Sequence, residues 1–368
     1  MGNLRIGTSG WNYPSGRGTW NGVFYPPARG RGRSFDELAF YAEHFDTVEV
    51  NSTFYGQPRA DVARSWAERT PAGFEFSVKL YQKFTHPEMF KKTLSRGLPK
   101  TESGVVFPPA VVSHANDPRT LAGRTSAATD GLEMTPDHFS EDPTLDSVVR
   151  PNQVDLDEFR AGIEPLAASS KLGALLAQFP PSFKDAPASR DSLALLLRAF
   201  QGYRVAVELR HRSWSDALAG TLALLNQFGA AWVQIDEPKF RFSIRQNYLP
   251  NVQGFYYMRL HGRNAAHWWR HEKAEDRYDY LYSADELKEF SETADAARTL
   301  VRKLYLYTNN HFSAKSVANA VMIKKQLGEP IEGAYSDGFL AKYPELAGTE
   351  RQSTVNSRQA TVRLMTDD

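Results

Sequence analysis

The chain has 368 residues, a formal net charge of +1 and no cysteine. Such a length accommodates one large barrel or two ordinary domains around a sizeable core. The balanced charge gives no global reason to expect a nucleic acid or an acidic membrane as partner, and the missing thiols exclude disulfides, iron–sulfur clusters and cysteine nucleophiles.

Eight short runs rich in β-branched and aromatic residues read as strands, at 4–10, 47–51, 75–80, 172–179, 203–210, 230–237, 254–262 and 303–309. Helical patterns lie between most of them. Ser34 with Glu37 predicts a capping box opening a helix over 35–44, and Ser283 with Glu286 another over 284–300. Further helices are expected over 156–168 and 314–327, the latter stopped by Gly328. One segment, 95–153, is rich in Pro, Ser, Thr, Gly and Asp without sustained period, and reads as an insertion in the third βα connection. The predicted class is therefore α/β, a single TIM-type (β/α)8 barrel over 1–343 with a loop-like insertion, followed by a polar tail over 344–368. The basic run Arg29 to Arg33 reads as solvated loop or, alternatively, as a phosphate contact.

Because β side chains alternate faces, Val48, Val50, Val207, Leu209, Val233 and Ile235 are expected outward against helices. Glu49, Asn51, Ser77, Lys79, Gln178, Glu208, Arg210, Gln234, Asp236, Tyr257, Arg259, His261, Tyr307 and Asn309 would then point inward. A parallel barrel gathers the C-terminal ends of its strands around one mouth, where enzymes of this fold place their sites. The first loop adds Trp11, Tyr13, Trp20, Phe24 and Tyr25, either as a plug or as a stacking platform.

Several stretches, IGTSGW, VEVNSTFY, PAGFEFSVK, LGALLAQFPPSF, VAVELRHRSW, YYMRLHGR and LYLYTNNH, resemble the YecE-like family, domain of unknown function 72. Together they span nearly the whole chain outside the insertion and tail. The resemblance implies a TIM barrel and no particular reaction; members of the family usually have a much shorter third connection.

Three chemistries compete for the mouth. In the first, an acid–base enzyme acts on a sugar- or phosphate-bearing substrate: Glu208, His261, Glu49 and Asp236 are the catalytic candidates, while Lys79, Gln178, Arg210, Arg259, Asn51, Tyr55, Trp11 and Asn309 bind a small polar or anionic ligand. Glu49 and Glu208 also admit a two-carboxylate glycosidase. In the second, Glu49, Glu208, Asp236 and His261 hold a divalent metal for hydrolysis of phosphoesters or nucleic acid, against the nearby fixed cations and without an HExxH-type spacing. In the third, the barrel binds a ligand without turnover. The competing structural reading is a self-satisfied network of buried ion pairs. No cofactor is predicted, a divalent metal is admitted, nucleic acid is admitted but not favoured, and no membrane partner is expected. With no long apolar run and no apolar leader before Leu4, the default expectation is a soluble cytoplasmic protein of unassigned oligomeric state.

Overall fold

All eight predicted runs are strands, and one of them is cut in two. They are β1 Leu4–Ser9, β2 Thr47–Val50, β3 Glu75–Lys79, β4 Leu172–Gln178, β5 Val205–Glu208, β6 Ala231–Trp232, β7 Gln234–Asp236, β8 Tyr256–Leu260 and β9 Leu304–Thr308. The computed structural model describes residues 2–27, 29, 35–97, 150–245, 249–268 and 273–348. The strands are parallel and ordered β6-β5-β4-β3-β2-β1-β9-β8-β7. The two edges, β6 and β7, are halves of one run separated by Val233, whose N–H donates to the Val207 carbonyl at 3.0 Å. The sheet thus closes on itself as a TIM-type barrel.

Outward side chains form a dry layer under the helices: Val48, Val50, Phe76, Val78 and Val207 are fully buried. The expected helices are present as Gln153–Ala168, Ala284–Arg298 and Lys315–Gln326. The Ser283–Glu286 capping box forms as predicted. The first helix does not follow its predicted cap. It covers Glu37–Ala42 and is capped by Asp36, whose carboxylate accepts from the Leu38 and Ala39 N–H groups. Asp36 sits directly before the first helical residue, where its short carboxylate reaches both orphan donors. Ser34 and residues 30–33 of the basic run lie outside the described residues.

The chain divides into two compact units, one of Met1–Tyr81 with Gln153–Asp368 and one of Gln82–Asn152. The second contains helices Gln82–Thr85 and Pro87–Gly97; most of the predicted insertion, 98–149, lies outside the described residues. Beyond the last strand, helix Asp337–Lys342 and the turn Pro344–Leu346 bury Phe339, Tyr343 and Leu346, and the rest of the predicted tail from 349 lies outside the described residues.

Inside the barrel the floor is aromatic. Tyr257, Tyr305 and Tyr307 are fully buried, and each hydroxyl has a partner: Tyr305 donates to Glu75 at 2.5 Å, Tyr307 meets Ser77 at 2.9 Å and Thr47 at 2.6 Å, and Tyr257 donates to Glu49 at 2.7 Å. This packed floor closes the barrel, so the polar site can open only toward the C-terminal ends of the strands.

Register corrects the expected facing of the sixth run. Ile235 pairs with Arg259, while Gln234 and Asp236 pair with Met258 and Leu260. Partners in a parallel ladder share a face, and Arg259 points inward, so Ile235 lines the interior and Gln234 and Asp236 face outward. Outward polar groups survive there because each has a partner: the Tyr256 hydroxyl donates to Gln234, and Arg263 and Tyr282 donate to Asp236 at 2.8 and 2.7 Å. Alternation separates two faces but does not say which is the inner one when apolar residues suit both.

Candidate active site

Directly above the tyrosine floor, Glu49, next to last in β2, and Glu208, last in β5, present two carboxylates to one guanidinium from β8. Glu49 and Glu208 are 0% exposed and Arg259 is 1% exposed. Arg259 grips Glu49 with two parallel bonds, Nε to Oε2 at 2.9 Å and Nη2 to Oε1 at 2.7 Å. Its Nη1 donates to Glu208 and, at 3.3 Å, to Gln178. Ser9 and Tyr257 complete the Glu49 carboxylate at 2.6 and 2.7 Å. A charge this deep persists only with such complete partnering.

One layer nearer the mouth, Arg210 donates to Glu208 Oε1 from Nε at 2.8 Å and lies within 2.7 Å of it through Nη2. Burial alone would raise the Glu208 carboxyl, but the Arg259 and Arg210 charges hold it well below the usual range. His261 is buried with its Nε2 3.3 Å from both guanidinium groups and its Nδ1 2.8 Å from the Asn309 amide. That burial, with Arg259 and Arg210 beside it, keeps the imidazole neutral by pushing its pKa down to about 3. Glu208 is thus fixed as a carboxylate and His261 as a neutral ring at physiological pH.

Two other groups at this end are displaced toward neutrality. Lys79, the last residue of β3, is half-buried, and its Nζ lies 4.0 Å above the centroid of the Phe54 ring. No carboxylate lies within ion-pair distance of it among the described residues. Burial, reinforced by Arg259 and Arg210, pushes its pKa down to about 7. Glu237 is 4% exposed and its pKa is raised by burial; its contact with Arg210 Nη1 is long at 3.4 Å. Glu237 follows Asp236 and has the inward parity that Asp236 lacks. Once the facing of that run is corrected, the same alternation singles it out.

The remaining predicted residues are distributed unevenly. Gln178 and Asn309 join the network through Arg259 and His261. The Asn51 Oδ1 is buried without a donor. Tyr55 is 74% exposed and stands edge-on to Phe54 at 5.2 Å. Trp11 turns to the outer layer, edge-on to Trp66 at 5.4 Å and to Phe76 at 6.5 Å. Asp236 belongs to the separate Arg263–Tyr282 cluster. Of the first-loop aromatics, Trp20, Phe24 and Tyr25 are buried, and Phe24 and Tyr25 pack on Phe40 of the first helix at 5.4 and 5.6 Å, in the helix layer outside the strands. Tyr13 instead stacks on His311 at 4.1 Å, and Tyr278 lies on that imidazole at 4.6 Å; the buried His311 Nδ1 has no partner. His211 is structural, its Nδ1 accepting the Ser213 N–H at 3.2 Å to cap a short helix.

With Glu49 and Glu208 on guanidinium groups and Asp236 facing outward, the four proposed metal ligands do not converge. Among the described residues no group of three or more His, Asp or Glu side chains is placed to hold a metal ion. No helix among them is long and apolar enough to cross a membrane.

Fold and site together define a TIM-type barrel protein with a charged mouth. The chain belongs to the family described as protein of unknown function DUF72, whose model matches residues 5–342. UPF0759 protein YunF of Bacillus subtilis (strain 168) is 23% identical over 345 residues, covering 90% of this chain and 96% of that protein. The crystal structure of a DUF72 family protein from Thermotoga maritima is similar with a TM-score of 0.62 and 27% identity, over 89% of this chain and 99% of the other. One from Enterococcus faecalis shares the fold at a TM-score of 0.62 and 20% identity, over 91% and 100% of the two chains.

Proposed function

We propose that the protein is an acid–base enzyme acting on a small anionic substrate, sugar- or phosphate-bearing, at the C-terminal mouth of the barrel. The observation that carries this reading is the charge left over at the mouth. Glu49 and Glu208 are balanced by Arg259 and Arg210 and Glu237 is in contact with Arg210, so Lys79 adds a cation with no carboxylate at ion-pair distance among the described residues. A bound anion would neutralise it, and proton loss would leave a free amine.

Proton transfer falls to the two groups displaced toward neutrality, Lys79 as base and Glu237 as acid, since groups whose environments move their pKa values toward working pH serve this chemistry. Glu208 and Glu49 then act as fixed counter-charges that orient Arg210 and Arg259. Arg210, with its Nη1 only loosely held by Glu237 at 3.4 Å, is the guanidinium with donor capacity to spare for an anion.

The test is a panel of aldose and ketose phosphates incubated with the protein in deuterated water and followed by proton NMR. Loss of a carbon-bound proton signal, or conversion, that disappears in Lys79→Met and Glu237→Gln is expected. Binding without exchange or conversion would instead favour a ligand-binding barrel without turnover.

A further inference from the structure

The proposed base has an unusual setting. A lysine at a barrel mouth normally finds a carboxylate, and several are within the same cluster, yet Glu49 and Glu208 are saturated by arginine and Glu237 has its contact with Arg210. Lys79 is left with the face of Phe54 at 4.0 Å. Its main chain is pinned by the Thr53 hydroxyl, which donates to the Lys79 carbonyl at 2.6 Å, so the side chain projects from a fixed strand end. The ring beside the amine excludes water on one side without supplying an anion. Such an apolar, cation-flanked setting is what activates an amine as a nucleophile.

We propose that Lys79 is a covalent nucleophile that forms an imine with a carbonyl group of the substrate, which narrows the ligand to an anionic aldehyde or ketone. This rests on the acid–base reading of the same mouth. The Nζ lone pair forms a bond to the carbonyl carbon while the C=O π pair moves onto oxygen, which takes a proton to give a carbinolamine. Nζ then releases its protons as the hydroxyl, protonated once more, departs as water and the C=N bond closes. The net change is amine plus carbonyl to imine plus water, with no oxidant or reductant. The neutral amine needed for the first step is present near neutral pH because burial beside Arg259 depresses the Lys79 pKa. Nearby Arg210 would hold the anionic end of the ligand, as its fork geometry suits a phosphate or carboxylate.

The experiment uses the full chain and dihydroxyacetone phosphate, with sodium borohydride added to trap any imine as a stable secondary amine, read by intact mass and peptide mapping. The expected result is one adduct on Lys79, its yield rising through pH 7 and at least tenfold lower in both Lys79→Met and Lys79→Arg, each checked for a cooperative unfolding transition. No adduct at Lys79, or labelling spread over exposed lysines and unchanged in the two variants, overturns the imine. If solvent-deuterium exchange persists while trapping fails, Lys79 is a general base only. If both fail, the acid–base reading falls with it.

Discussion

Arg259 and Glu49, 210 positions apart in the chain, meet across the barrel as a two-point pair, with Nε to Oε2 at 2.9 Å and Nη2 to Oε1 at 2.7 Å. Both donors that could have formed a fork on a ligand are thereby committed to the protein. The role expected of Arg259 as a substrate clamp shifts toward Arg210, and Arg259 becomes the element that fixes two carboxylates.

It follows that Arg259→Lys is a stability variant first. A lysine keeps the charge but cannot bridge Glu49 and Glu208 together, so one buried carboxylate loses a partner. The expected cost is about 3 kcal/mol, the range for breaking a buried pair, seen as a lower urea midpoint. An unchanged midpoint would mean that the pairing contributes nothing that lysine cannot supply.

Asp236 gives the opposite contrast. Facing outward on Arg263, itself about a third exposed, and on Tyr282, it should matter to packing and not to chemistry. Asp236→Asn is expected to cost about 1 kcal/mol, the screened value of a partly exposed pair, and to leave deuterium exchange by the sugar-phosphate panel unaltered. Loss of exchange in a folded Asp236→Asn protein would return this residue to the site.

Acid stability carries a signature of His261. Its folded pKa lies at about 3 against 6.5 for a free imidazole. Below 6.5 the unfolded chain takes up a proton that the folded protein refuses, so stability falls as pH drops. Glu208, with a folded pKa held below 4.5, adds a second loss only at lower pH, once the unfolded carboxyl protonates. His261→Gln should therefore flatten the decline between pH 6.5 and 4.5 in unfolding free energy. His311, lowered for the same reason of burial, preserves part of the slope. Identical slopes in wild type and variant would contradict the buried neutral ring.

Gly162 tests the packing that carries the strands. On helix Gln153–Ala168 it passes so close to the chain before helix Ala60–Glu68 that a Cβ would lie 2.1 Å from the Pro58 carbonyl oxygen. Backbone cannot yield as a side chain does, so Gly162→Ala should cost about 2 kcal/mol or more despite alanine's better helix propensity. A neutral or raised thermal midpoint would show that the two segments can separate without penalty.

The barrel was legible because its strands place polar residues inward and aliphatic ones outward, and Glu49, Lys79, Glu208 and Arg259 fall on the inner face by counting alone. The run 231–236 was not, because its inner face is Ala231, Val233 and Ile235 and its polar residues have partners outside. That inversion also concealed Glu237, one position beyond Asp236. Nor could alternation show that Arg259 is saturated, since the pairing joins strands far apart in the chain. Lys79 was visible as a cation at a strand end; its lack of a carboxylate partner among the described residues depends on where four arginine–glutamate pairs form, which is a property of the closed barrel.

The most direct measurement is the titration of Lys79 itself. With lysine labelled at 13Cε and the resonance assigned by its disappearance in Lys79→Met, the chemical shift followed against pH reports the ammonium directly. A midpoint near 7 is expected, leaving a substantial fraction of free amine at neutral pH. A midpoint near the ordinary lysine value of about 10.4 would contradict the account and leave Lys79 as a permanently charged neighbour of Phe54.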